Sequence, residues 1–95
     1  MNDEIITMNI RIEGQVQACG FRDFAVREAN ARKLKGWVRN RTDGSLEAVA
    51  SGPQKEVEAF IAVCMQGPRG ARVSALNLQP VDPPESLGFI RRPSV

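Results

Sequence analysis

The stretch from Gly14 to Arg22 separates two segments whose apolar residues repeat with different periods. Residues 5–13 alternate between apolar and polar side chains, a pattern typical of a half-buried strand. From Phe21 to Leu34, apolar side chains recur at helical spacing, with charged residues mostly on the other side. A strand is therefore predicted to end, and a helix to begin, within this one stretch, so the chain has to combine a sheet with a helix.

The same stretch has the features of an anion-binding turn. Gly14 and Gly20 let the backbone turn tightly and approach a ligand, and no Ser, Thr, Asp or Asn precedes the helix to occupy its first free N–H groups. Those N–H groups and the positive end of the helix dipole favour an anion, and Arg22 adds a planar fork that matches two phosphate oxygens. Taken alone, the pattern is weak, because glycine-bounded turns followed by a solvated arginine are common.

Length and composition indicate one ordinary globular domain. The 95 residues suffice for a single two-layer core, and we expect residues 1–4 and 93–95 to be loose tails. No apolar run reaches the length of a membrane span, and charged residues interrupt the first 15 positions where a signal peptide would be apolar. We therefore expect a soluble cytoplasmic protein. The net charge of +2 is too small to imply a nucleic-acid partner.

The chain contains no histidine and no tyrosine, and Cys19 and Cys64 do not have a metal-ligand spacing. Cys64 lies on an apolar helical stripe and is predicted to be a core residue. This composition excludes Ser/His and Cys/His nucleophilic pairs and the commonest zinc ligand, so we predict neither a metal nor a cofactor. An enzyme built from this sequence has to work mainly by positioning and electrostatics.

The second half of the chain predicts further strands and a second helix. Asp-Gly at 43–44, between two alternating runs, predicts a β-hairpin, and Ser-Gly-Pro-Gln at 51–54 predicts the start of a second helix. Residues 73–78 predict a bulged strand, because their two halves alternate out of phase, and residues 87–92 predict a short closing strand. The order βαββαβ predicts an α+β, ferredoxin-like split βαβ sandwich, in which two helices pack on one face of an antiparallel sheet.

Two spaced motifs occur in order along the chain. The first comprises Gly14, Val16, Gln17, Phe21 and Arg22. The second comprises Gly36, Trp37, Val38, Arg39, Asn40, Gly44 and Gly52. Together they resemble the two signatures of the acylphosphatase family, a loop G-x-V-Q-G-V-x-F-R and a later segment that begins G-[aromatic]-[small]-[basic]-N. The loop departs from the family at Ala18, where the family has glycine, and at Cys19, where it has valine.

The resemblance implies an enzyme that hydrolyses acyl phosphates to a carboxylate and inorganic phosphate. It implies that Arg22 binds the phosphate and that Asn40 orients the attacking water. The predicted substrate-binding residues are those of the loop, Gly14, Gln15, Val16, Gln17, Ala18, Cys19 and Gly20. We interpret the side chain of Gln17 as a brace for this loop. The expected partner is a small acyl phosphate, with no nucleic acid and no membrane, and the expected state is a monomer.

Ala18 leaves two cases open. If residue 18 needs a positive φ, a side chain there costs about 1 kcal/mol and can tilt an amide away from the phosphate, whereas at a negative φ alanine is harmless. If Ala18 impairs the phosphate-binding loop, the protein would be a non-catalytic phosphate-binding module of the same fold. A second alternative is an RNA-binding domain of this fold, suggested by the aromatic segment at 35–38, although the rest of that motif is missing.

Overall fold

The elements follow the predicted order of strand, helix, strand, strand, helix and strand, and a short fifth strand closes the sheet. The computed structural model describes residues 4–95. The elements are β1 (Ile5–Gln15), α1 (Phe21–Ala31), β2 (Lys35–Asn40), β3 (Leu46–Pro53), α2 (Gln54–Gln66), β4 (Arg72–Pro80) and β5 (Phe89–Arg91).

The strands form one sheet in the order β4-β1-β3-β2-β5. The neighbours among β1 to β4 pair antiparallel, as predicted. β5 instead pairs parallel with β2, so the complete sheet is mixed rather than antiparallel. The difference arises because residues 81–88 carry the chain from the edge at β4 to the opposite edge, where β5 runs in the direction of β2. With this correction, the predicted α+β, ferredoxin-like split βαβ fold is confirmed.

The two helices cover one face of the sheet, and the core lies between them and the strands. The strands contribute the buried residues Ile10, Ile12, Val38, Leu46, Ala48 and Ala50. The helices contribute Phe21, Ala25 and Ala29 from α1 and Val57, Phe60 and Cys64 from α2. The prediction that Cys64 belongs to the core is confirmed. Burial raises the pKa of its thiol to about 12, so the thiol stays protonated and unreactive.

The predicted bulge lies where β4 pairs with β1. The register shifts between Glu13 and Gly14, so that Ser74 of β4 has no residue opposite it. Gly14 has a φ of 128°, and a Cβ atom there would collide with the carbonyl oxygen of Arg72. Glycine therefore allows β1 to continue to Gln15, and the loop before α1 begins two residues later than the predicted stretch.

The face of the sheet away from the helices carries a charged cluster around Glu47, whose side chain is only 11% exposed. Arg39 and Arg41 each donate a hydrogen bond of 2.8 Å to Glu47 Oε1, and Asn9 donates one of 2.8 Å to Oε2. Burial by itself would raise the pKa of Glu47, but these hydrogen bonds outweigh it and hold the pKa below its usual value. The carboxylate is therefore stabilised in its charged form.

Loose tails are predicted at both ends of the chain, and one described residue of each makes a main-chain hydrogen bond to the rest of the fold. Of the first, residues 1–3 lie outside the described residues, and the Glu4 carbonyl accepts a hydrogen bond of 2.9 Å from the Gln54 N–H. At the other end, the Val95 N–H donates to the carbonyl oxygen of Asn40 at 3.1 Å. Across residues 4–95, no helix combines the length and the apolar character needed to cross a membrane.

Candidate active site

A cavity of about 220 Å³ lies where the loop before α1 meets the end of β2. It brings together Arg22 and Asn40, the two residues predicted to act on the substrate. The lining residues are Val16, Ala18, Gly20, Phe21, Arg22, Asp23, Asn40 and Arg91. Because Arg22 belongs to α1 and Asn40 ends β2, it is the tertiary fold that places both on one small cavity.

Other grooves are larger, and the two most voluminous described, of about 720 and 700 Å³, lie along the segment from Pro84 to Leu87. Neither borders Arg22 or Asn40. An active site is distinguished by polar groups that converge on one point rather than by its volume. The smaller cavity is therefore the candidate active site.

Two residues of the loop at 16–20 have the left-handed backbone conformation that occurs in anion-binding turns. Ala18 and Gly20 have φ angles of 61° and 78°, both in the left-handed region. Left-handed residues alternating with right-handed ones form concavities lined by N–H groups. Gly20 is the N-cap of α1 and, as predicted, no side chain caps the helix. The first N–H groups of α1 therefore have no partner within the helix and are available to an anion.

The positive φ of Ala18 decides between the two cases that the sequence left open. Alanine occupies the conformation in which a side chain costs about 1 kcal/mol. The turn is nevertheless formed, with Ala18 exposed at the cavity. The departure from glycine therefore places a side chain at a position whose backbone conformation favours glycine.

The remaining loop residues lie around this turn. Gly14 and Gln15 are paired with β4, so they belong to β1. Cys19 is half-buried and packs against the core. The side chain of Gln17 donates hydrogen bonds from Nε2 to the carbonyl oxygens of Arg41 and Ser45, at 2.8 and 3.0 Å. The interpretation of the Gln17 side chain as a brace for the loop is confirmed.

Asn40 is held by the hairpin that the Asp-Gly pair predicts. It is the last residue of β2 and pairs with Leu46 at the start of β3. In the turn between them, the Asp43 carboxylate accepts hydrogen bonds from the N–H and hydroxyl groups of Ser45, at 2.9 and 2.6 Å. Main-chain and turn contacts therefore fix Asn40, while its half-buried side chain borders the cavity.

The two motifs and the fold that unites them agree with a comparison against known families, in which the family model described as acylphosphatase matches residues 8–90. The chain belongs to the acylphosphatase family. The predicted family is confirmed, and with it the predicted enzyme activity, the hydrolysis of acyl phosphates.

Individual acylphosphatases agree with this assignment over nearly their whole length. The acylphosphatase of Rhodospirillum rubrum is 44% identical over 89 residues, which are 94% of this chain and 98% of that protein. The acylphosphatase of Rhizorhabdus wittichii is 41% identical over 90 residues, which are 95% of this chain and 91% of that protein. The crystal structure of the Bacillus subtilis acylphosphatase matches with a TM-score of 0.87 at 32% identity, covering 94% of this chain and 99% of that one.

An ion pair at the mouth of the acylphosphatase cavity could not be identified from the sequence. Arg91 Nη1 donates a hydrogen bond of 2.6 Å to Asp23 Oδ1. The hydrogen bond and the charge of Arg91 lower the pKa of Asp23, and the charge of Arg22 lowers it further. The contact depends on the pairing of β5 with β2, which turns Arg91 to the same side as the buried Phe89.

The groups at the cavity define what it can bind. Two guanidinium groups, those of Arg22 and Arg91, and the side-chain amide of Asn40 border one small volume. Guanidinium N–H groups bind anions, and an amide carries both a donor and an acceptor for water. Within residues 4–95, no three His, Cys, Asp or Glu side chains are placed so that they could hold a metal ion. This set of groups can bind an anion and hold a water molecule beside it.

Proposed function

We propose that the hydrolysis of acyl phosphates takes place in the 220 Å³ cavity, with Arg22 binding the phosphoryl group and Asn40 orienting the attacking water. The observation that supports this proposal is that both residues border the cavity, although one lies on α1 and the other on β2. In the proposal, the substrate-binding residues are Gly14 and Gln15 at the end of β1 and the loop of residues 16–20. The residues at the centre of the loop bind the phosphoryl group through their backbone N–H groups, whereas Gly14 and Gln17 hold the shape of the loop.

The uncapped start of α1 supplies the charge stabilisation that phosphoryl transfer requires. A loose phosphoryl transition state carries negative charge on its peripheral oxygens, and donors that are already in place stabilise it without reorganisation. The N–H groups of the loop and the first turn of α1 offer such donors, and Arg22 adds a charged, two-pronged one. Lysine could not replace this geometry, because its ammonium group is a single point charge.

Asn40 completes the site by holding the nucleophile. Its amide accepts a hydrogen bond from the water and donates one to the phosphoryl group, so the water oxygen lies in line with the phosphorus. The new bond forms between that oxygen and phosphorus as the bond from phosphorus to the acyl oxygen breaks. The proton of the water passes to a phosphate oxygen. The leaving carboxylate is a stable anion and needs no general acid, which fits a chain without histidine.

Hydrolysis of benzoyl phosphate in excess chelator tests this proposal. We expect turnover by the wild-type protein, its loss in Asn40→Ala, and normal turnover in Asn77→Ala, which removes an exposed amide from β4. Turnover that persists in Asn40→Ala would remove Asn40 from the mechanism. Binding of inorganic phosphate without any turnover by the wild type would instead identify a non-catalytic phosphate-binding module.

We further propose that the protein acts as a cytoplasmic monomer on a small acyl phosphate, without a nucleic-acid or membrane partner. In support, the volume of about 220 Å³ suits a small molecule. Light scattering during gel filtration tests the monomer, and cell fractionation tests the location. Salt-sensitive binding of single-stranded RNA would favour the RNA-binding alternative.

A further inference from the structure

Arg91 is a second guanidinium at the cavity, and neither of the two family motifs includes it. It comes from β5, borders the same cavity as Arg22 and Asn40, and is bonded to Asp23 on the first turn of α1. The phosphoryl group occupies only part of an acyl phosphate. Because Arg91 comes from a different element than Arg22, it can contact a part of the ligand other than the phosphoryl group.

The pair formed by Arg91 and Asp23 is weakly held, because their side chains are 48% and 64% exposed. Ion pairs at such positions contribute little stability, so the contact opens at small cost. A guanidinium has five N–H donors, and the contact with Asp23 uses one of its terminal nitrogens. The structure therefore shows Arg91 bound to the carboxylate of Asp23. A carboxylate of the substrate could replace that of Asp23 or bind Arg91 beside it.

We propose that Arg91 is a specificity-determining residue, which binds a carboxylate on the acyl part of the substrate while the loop and Arg22 hold the phosphoryl group. Among acyl phosphates, the protein should then prefer those of short dicarboxylic acids over those of monocarboxylic acids of equal length. This inference rests on the proposed function, because it places the phosphoryl group in the same cavity. Asp23 acts as an internal competitor, since its carboxylate occupies Arg91 in the absence of substrate.

A matched pair of substrates tests the inference. Succinyl phosphate and butyryl phosphate have acyl chains of equal length, and only the first ends in a carboxylate. The ratio of their kcat/KM values reports the recognition of that carboxylate and cancels effects common to both substrates. In Arg91→Gln, we expect this ratio to fall about five- to tenfold, because the variant loses a charge-assisted hydrogen bond at a half-exposed site. In Arg91→Lys, part of the preference should remain.

Two further variants separate recognition from general effects of charge and structure. Arg92→Gln removes the same charge one residue later, on the opposite face of the sheet, where Arg92 packs 5.1 Å from the centre of the Trp37 ring. We expect it to leave the ratio unchanged. Asp23→Asn removes the competing carboxylate and keeps Arg91 in place, so the ratio should rise. An ion pair with a merely structural role would not produce these opposite changes.

The outcomes distinguish this inference from the proposed function. If Asn40→Ala abolishes turnover of both substrates while Arg91→Gln leaves the ratio unchanged, the inference is overturned and the ion pair only links α1 to β5. If Asn40→Ala retains turnover of both, the proposed site is wrong and the inference falls with it. Should Arg91→Gln fail to fold, an unchanged or lowered ratio in Asp23→Asn would overturn the inference by itself.

Discussion

The side-chain amide of Gln17 donates a hydrogen bond of 2.8 Å to the carbonyl oxygen of Arg41. The same nitrogen lies 3.0 Å from the carbonyl oxygen of Ser45, so it spans the turn that follows Asn40. The loop of residues 16–20 and the end of β2 are thereby fastened to each other. One side chain thus links the two walls of the cavity.

Replacing Gln17 by methionine, which has nearly the same shape, should lower both stability and activity. The loss of two partly buried hydrogen bonds is expected to reduce the free energy of unfolding by about 1–2 kcal/mol. The loosened loop should lower kcat/KM by roughly tenfold or more, because small displacements of positioning groups have large effects on rate. Urea denaturation and benzoyl phosphate hydrolysis measure the two effects.

The control for this variant is Gln79→Met, which makes the same exchange at an exposed position of β4. This control variant should change neither the free energy of unfolding nor kcat/KM appreciably. Full activity in Gln17→Met would show that the loop holds its place without the brace.

Replacing Arg22 by lysine keeps the positive charge at the cavity and removes the planar fork. We expect the affinity for inorganic phosphate to fall by roughly 1.5–3 kcal/mol, about ten- to a hundredfold in the dissociation constant. Isothermal titration calorimetry with inorganic phosphate measures this affinity. Arg27→Lys, at an exposed position one turn further along α1, serves as the control. Equal affinities in wild type and Arg22→Lys would mean that charge alone, without the fork, holds the phosphate.

Much of the framework of the site could be predicted because it depends on short-range sequence patterns. The change of period at Gly14 placed the loop before α1, and the missing cap residue at Gly20 predicted its free N–H groups. The Asp-Gly pair predicted the hairpin that holds Asn40. Each of these features is determined by residues within about one turn of the chain.

The features that the sequence left open depend on residues far apart in the chain. The contact of Arg91 with Asp23 requires β5 to pair parallel with β2 in one register, and a strand of three residues carries too little pattern to fix it. The extension of β1 past Gly14 depends on the carbonyl of Arg72 across the sheet. The φ of Ala18 is set by the anchoring of the loop on both sides, because alanine alone would favour a negative value.

The strain at Ala18 predicts opposite effects for two substitutions. In Ala18→Gly, relief of the left-handed conformation is worth about 1 kcal/mol, and the greater freedom of glycine in the unfolded chain offsets roughly half of it. We therefore expect a gain of about 0.5 kcal/mol in stability. Because the turn already has its shape, kcat/KM should rise no more than about threefold.

Ala18→Val should act in the other direction, since a β-branched residue at this φ is a severe outlier. Both the midpoint of thermal unfolding and the affinity for inorganic phosphate are expected to fall. Calorimetry and phosphate titration of the two variants provide the measurement. Wild-type values in Ala18→Val would mean that residue 18 does not hold the left-handed conformation in solution.

The lowered pKa of Glu47 predicts how stability depends on pH. Its folded-state pKa lies below the ordinary value of 4.5, so the ionised carboxylate contributes stability above about pH 4.5. This contribution is lost as the pH falls through the folded-state pKa. Glu47→Gln should therefore lower the free energy of unfolding at pH 7, by about 1–3 kcal/mol, because Arg39 and Arg41 lose a charged acceptor.

Below the folded-state pKa the difference between the variant and the wild type should shrink, because the wild-type carboxyl group is then neutral as well. Urea denaturation of both proteins between pH 7 and pH 3 measures this convergence. Glu85→Gln, which removes one negative charge from an exposed loop position, is the control for the general effect of losing a negative charge. A difference for Glu47→Gln that stays constant with pH would show that the cluster does not depend on the charge of this carboxylate.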